Sequence, residues 1–271
     1  RIRSEDPYFA LGIFYMYEKY SQINFNWSEL KLYNNPIESN EQNSQHNFNK
    51  AIYYFTLSAN RGNINAQLIL GSVLQEQQQS IEHAMHYLEI GANQNNADAQ
   101  LELSELYFNG NMVPRDVNKT LYYLNLAASQ NNLSAQYKLG VLYFNGVDVA
   151  RDINKAIYYI SLAANQGHVD AQYELGNVYL IGKYVPKDIK KAIHYLSAAA
   201  DNGHPYAQVI IGLSNLTGYH IPKNVHAAIY YLELASLKNN CYAQLNLGLI
   251  YYIGQDAKQD IEKAIYYFSL A

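Results

Sequence analysis

The sequence predicts an all-α fold, an α-solenoid of about seven antiparallel helical hairpins, and three observations predict it. A dipeptide recurs at a fixed interval: Ala135-Gln136, Ala171-Gln172, Ala207-Gln208 and Ala243-Gln244 stand 36 residues apart. Glycines keep that interval in two series, Gly140, Gly176, Gly212, Gly248 and Gly110, Gly146, Gly182, Gly218, Gly254. Between them, apolar residues return at the three- and four-residue steps of one helix face. A period between about 20 and 50 residues marks an array whose units bury their apolar faces against their neighbours.

Taken in order, the first helix is expected at about 7–19 and its partner at about 48–60. The stretch 21–47 between them is rich in Asn, Gln, Ser and Glu and reads as a long polar loop inserted in the first repeat. Phe25, Trp27 and Leu30 within it could pin it to the array. Six further pairs follow at 65–75 and 82–93, 98–109 and 117–129, 134–145 and 153–165, 170–181 and 189–201, 206–217 and 225–237, and 242–253 and 261–271. The repeats are therefore 7–60, 65–93, 98–129, 134–165, 170–201, 206–237 and 242–271, a single array over 1–271. Gly71 and Ser104 are only 33 residues apart, which shortens the loop around Gln75 to Ser80.

One unit shows the local physics. Asp170 is expected to cap the first helix by accepting from free backbone N–H groups. Gly182 ends that helix in the left-handed conformation, Pro186 prevents its continuation, and Asp188 caps the second helix. Asn202-Gly203 ends the second helix. Gly176 lies inside the first helix, where glycine costs about 1 kcal/mol relative to alanine. The position is glycine in every copy except Ser104, and Ala192 answers it on the second helix in every copy except Thr120. Both imply close helix approach.

Composition excludes several classes. The net charge of −4, with no basic patch, argues against sequence-independent nucleic-acid binding. No apolar run approaches the roughly 18 residues of a membrane span. The single Cys241 rules out an intrachain disulfide framework and fits a reducing, cytoplasmic setting. His83 and His86 lack further residues at ligand spacing, His168 and His204 suit the inter-repeat turn, and Cys241 has no implied base. No phosphate-binding loop or nucleophile elbow is present. No enzyme activity, metal or cofactor is expected.

The pattern Asp170-Ala171-Gln172, Leu175-Gly176, Gly182, Val185-Pro186-Lys187-Asp188 and Lys191-Ala192-Ile193, with Tyr195, resembles the Sel-1-like repeat family of the tetratricopeptide-like α-solenoids. The resemblance covers nearly the whole chain outside 21–47. It implies a right-handed superhelix that recruits other proteins as an adaptor. The chain departs from the pattern at Asn215, where other copies have Tyr107, Tyr143, Tyr179 and Tyr251, and at Ala150, which replaces the loop proline.

Two sets of residues are candidates for contact with a protein or peptide partner. Second helices carry aromatic pairs, in which the second Tyr reads as core. The first, including Tyr122, Tyr158 and Tyr230, reads as the edge of the buried face. Inter-repeat packing is the favoured role for that first Tyr and partner recognition the alternative. The other set is a first-helix stripe, Glu102, Lys138, Glu174, Ile210 and Asn246, whose chemistry varies from copy to copy, on the face that lines the concave side of tetratricopeptide-like arrays. The leading reading is a non-enzymatic adaptor. The alternatives are an architectural component of a larger assembly, cytoskeletal for example, and a regulatory array joined to an enzyme such as a kinase. Further repeats or a capping element are expected beyond Ala271, because an array end otherwise exposes an apolar face.

Overall fold

A computed structural model describes residues 6–20, 41–76, 81–110 and 113–271. The described residues form fourteen helices and no strand. They are α1 (Pro7–Tyr20), α2 (Glu41–Ala59), α3 (Ile64–Glu76), α4 (Ile81–Asn93), α5 (Ala97–Asn109), α6 (Val117–Ser129), α7 (Leu133–Asn145), α8 (Ile153–Asn165), α9 (Val169–Ile181), α10 (Ile189–Asp201), α11 (Pro205–Thr217), α12 (Val225–Leu237), α13 (Cys241–Ile253) and α14 (Ile261–Leu270). Helix α2 begins at Glu41 and takes up residues that the spacing assigns to the loop. Residues 21–40, with Phe25, Trp27 and Leu30, lie outside the described part, as do 77–80.

The chain divides into two compact units, Arg1–Asn132 and Leu133–Ala271. In the first, α1 packs on α2, α3 on α4 and α5 on α6, and α2 and α4 pack on the helices that follow them. Its largest buried cluster joins Phe9, Ile13 and Met16 of α1 to Phe48 and Phe55 of α2 and Leu70 of α3. In the second unit the hairpins are α7–α8, α9–α10, α11–α12 and α13–α14. The core there is a ribbon of clusters between successive hairpins. Ile160, Ala163 and Ala164 of α8 meet Ala171 and Leu175 of α9. Leu196, Ala199 and Ala200 of α10 meet Ala207 and Ile211 of α11. Leu232 and Ala235 of α12 meet Ala243 and Leu247 of α13.

Close approach of the two helices inside a hairpin is set by its glycine. A Cβ at Gly176 would fall 2.7 Å from Leu196 Cγ, and one at Gly140 would fall 2.5 Å from Ile160 Cγ1. The side chain that fills the space over Gly176 is therefore Leu196, four residues beyond the expected Ala192. The alanine still matters, because its carbonyl stands 3.2 to 3.4 Å from the glycine's Cβ direction at Ala156, Ala228 and Ala84. Small residues on both helices let the backbones meet.

The turns are closed by side chains. Asp116, Asp152, Asp188, Asn224 and Asp260 each accept from the backbone N–H three residues on, starting the second helices. Gly110, Gly182, Gly218 and Gly254 end first helices with φ between 69° and 75°. The first-helix cap differs from expectation. His168, two residues before Asp170, accepts from Ala171 N–H, and Asp170 sits exposed inside the first turn of α9. A carboxylate there still favours the positive helix end, but its backbone is already helical. Ala150 is exposed, and the cap at Asp152 forms without a preceding proline.

Candidate functional site

Within each unit the repeated Ala-Gln pair holds successive hairpins together. The alanine is buried in the inter-hairpin cluster, and the glutamine beside it is buried too. Any partner for its amide therefore has to come from inside the protein. Gln172 Nε2 donates to Ala164 O at the end of α8, and its Oε1 accepts from Asn202 Nδ2 at the end of α10. Gln100 repeats this, donating to Ala92 O and accepting from Gln130 Nε2. Gln136 Oε1 accepts from Gln166 Nε2 in the same way. One side chain thus ties a first helix to the second helices on both sides, as at Gln172 and Gln100. The sequence reading missed this role. Its signal was the amide at 130, 166 and 202, always 30 residues beyond the glutamine.

The second tyrosine of each aromatic pair is half-buried, which corrects its expected place in the core. Where the first helix carries a tyrosine at the facing position it stacks on that ring, as Tyr195 does on Tyr179 with centroids 6.2 Å apart. Its hydroxyl then reaches back one repeat: Tyr195 donates to Asn165 Oδ1 and Tyr231 to Asp201 Oδ1, each at 2.7 Å. That polar anchor keeps it from sinking inward. Burial, and then the hydrogen bond to Asp201, push the Tyr231 phenol up to about 12. The first tyrosines stand further out than the edge position expected of them. Tyr122, Tyr158 and Tyr230 are 57–60% exposed, each edge-on to the tyrosine that follows it. Helical rotation of about 100° per residue carries them off the buried side.

The stripe residues occupy one position of α5, α7, α9, α11 and α13, and their environments differ. Glu102 and Lys138 are half-buried. Ile210 packs against the cluster of Leu196 and Ile211. Asn246 Nδ2 donates to Tyr242 O of its own helix. Glu174 is exposed by area yet crowded: lost hydration and then the Asp170 charge push its carboxyl up. Alongside it lie stacked pairs, Tyr137 on His168 at 4.5 Å and Tyr173 on His204 at 4.0 Å. Tyr137 is pushed up to about 12 by burial and then by the charges of Glu174 and Asp170. In the second unit this surface offers aromatic faces beside negative charge. Among the described residues no group of His, Cys, Asp and Glu side chains is placed to hold a metal ion. Cys241 is exposed at the start of α13.

Helical hairpins that repeat a buried Ala-Gln, an interior glycine and capped turns define an α-helical repeat protein of the solenoid class. The model of one family, the Sel1 repeat, matches residues 42–63, 64–96, 97–132, 133–168, 169–204, 205–240 and 241–271. The chain belongs to the Sel1 repeat family. It is similar to the crystal structure of a Sel1 repeat protein from Oxalobacter formigenes, with TM-score 0.72 and 27% identity over 85% of this chain and 98% of that one. It is also similar to a protective antigen of uropathogenic Escherichia coli strains displaying an SLR fold, with TM-score 0.75 and 25% identity over 82% of this chain. The chain spans about half, 48%, of that antigen's length. No curated protein sequence matches it. Among the described residues no helix is long and apolar enough to cross a membrane.

Proposed function

We propose that the chain is a non-enzymatic adaptor of the cytoplasm that holds a protein or peptide partner on the first-helix face. Sel1 repeat proteins generally mediate protein–protein interaction. The observation that carries the reading to this face is the contrast between its two kinds of position. Ala, Gln and Gly recur where helices pack, while the adjoining stripe runs Lys138, Glu174, Ile210 and Asn246 through the second unit. A face that changes while its frame repeats lets each hairpin meet a different feature of one partner. Crowded Glu174, whose charge acts on Tyr137, supports a contact rich in charge and aromatic area. Nucleic acid is a poor fit to a chain of net charge −4.

The test is affinity purification with the wild-type chain and with the charge-reversed variant K138E/E174K. The variant is expected to lose the partner while its far-ultraviolet circular dichroism stays unchanged. Retention of the partner by that variant, with loss in Y158A/Y230A, would move the site to the second-helix face.

A further inference from the structure

The start of each first helix needs an acceptor for its free N–H groups, and the chain uses two chemistries for it. Asn63, Asn96 and Asn240 present an amide oxygen to the N–H of Ala66, Ala99 and Ala243 at 3.1, 2.8 and 3.1 Å. At two junctions of the second unit the acceptor is an imidazole nitrogen. Ala171 N–H donates to His168 Nδ1 at 3.3 Å, and Ala207 N–H donates to His204 Nδ1 at 3.2 Å. An amide oxygen accepts at any pH. An imidazole accepts only while that nitrogen is bare, so both rings hold their proton on Nε2. A second proton would turn Nδ1 into a donor aimed at a donor, at the positive end of a helix.

We propose that His168 and His204 make the α8–α9 and α10–α11 junctions acid-labile joints, each closed while its imidazole is neutral and uncapped when that imidazole takes up a proton. The surroundings of each ring are defined. His168 is faced by Tyr137 and Lys138 from α7 and by Asp170 from its own helix. His204 is faced by Tyr173 and Asp170 from α9, by Tyr206 from its own helix and by Lys238 after α12. Asp170 Oδ1 lies 3.8 Å from His204 Nε2, where it favours the proton already there. Burial, the largest influence, and the nearby lysine outweigh Asp170 and hold both imidazoles below the usual histidine range. The unfolded chain therefore takes up these protons first. The caps contribute fully above the ordinary histidine pKa of about 6.5, and that contribution is lost as pH falls through the lower folded values. The joint needs no partner to operate.

The test is amide exchange of the full chain at pH 7.5 and 5.0, normalised to intrinsic rates, for the wild type and H168N/H204N. Asparagine is the cap that the chain itself uses at the same position, so the variant keeps its fold. In the wild type, protection of Ala171 and Ala207 is expected to drop on acidification relative to Ala99 and Ala243. The loss should be on the order of fivefold, the equivalent of one N-cap. In the variant the ratio should hold. A constant ratio in the wild type, or an equal drop in the variant, would overturn the proposal. Side-chain nitrogen spectra give a second readout: Nδ1 protonated already at pH 7.5 would also overturn it.

Discussion

Hairpins α9–α10 and α11–α12 are neighbours with the same glycine, alanine and leucine framework, yet the first has its polar fittings complete and the second does not. In α9–α10, Tyr179 stacks on Tyr195, and Lys191 sits 5.0 Å from the Tyr179 ring centroid. In α11–α12, Asn215 and Ala227 replace that Tyr and Lys. Asn215 is buried and turns its Nδ2 back to Ile211 O, satisfying itself within its own helix. The second difference is at the glutamine. Gln172 Oε1 receives Asn202, but Lys238 stands at the matching position after α12 and donates instead to Gly203 O. Gln208 Oε1 is left buried without a hydrogen-bond partner among the described residues. The backbone is nevertheless the same, with Asn224 N–H reaching Asn215 O as Asp188 N–H reaches Tyr179 O. Small residues set the path of the chain, and the polar fittings adjust its stability.

That lesson can be broken most forcefully at the glycines. Gly176→Leu is expected to cost about 1–3 kcal/mol through overpacking against Leu196, read as a lower urea midpoint. Gly176→Ala should cost more than Gly212→Ala. The new Cβ would lie 2.7 Å from Leu196 Cγ in the first case and 3.0 Å from Leu232 Cγ in the second. The helix propensity gained, up to about 1 kcal/mol, then offsets the milder clash. Equal costs at the two sites would refute a framework set by these contacts.

The fittings give smaller effects of opposite sign. Lys238→Gln should donate to Gln208 Oε1 and stabilise the chain by about 0.5–1.5 kcal/mol, while Asn202→Lys should lose a similar amount. Chemical denaturation of the two variants side by side decides it. Smallest of all, Asn215→Tyr should restore the stack on Tyr231 for about 0.5 kcal/mol. The position admits the ring, since Tyr107 and Tyr251 are buried at its equivalents. A clear loss there would show that α11 has repacked around asparagine.

Most helix limits were legible because punctuation is written in residues that act locally. Gly182 and Asp188 close their turns where the sequence places them. Asp170 misled because a carboxylate is the stronger cap by type, while the cap is defined by backbone geometry two residues earlier, at His168. The inner stacking of Tyr195 was readable only in part. Its constancy signalled burial, but the hydroxyl's partner Asn165 lies in the preceding repeat, beyond any local pattern. The stripe was legible as variation, and its neighbours were not. Nothing near Glu174 in sequence announces that Tyr137, from the repeat before, shares its electrostatic surroundings.

The buried glutamine also constrains how such a chain can be copied. Its partners lie eight residues before it and 30 residues after it, as for Gln172 with Ala164 and Asn202. Where both partners are present, as around Gln172, a duplication of one whole 36-residue period delivers both to the new copy and returns both to its neighbours. A duplication that begins or stops out of phase strands an amide in an apolar cluster, at a cost of about 1–3 kcal/mol each time. Lengthening by whole hairpins is thus the change this architecture absorbs most readily, and the reading frame of its growth is kept by a single side chain.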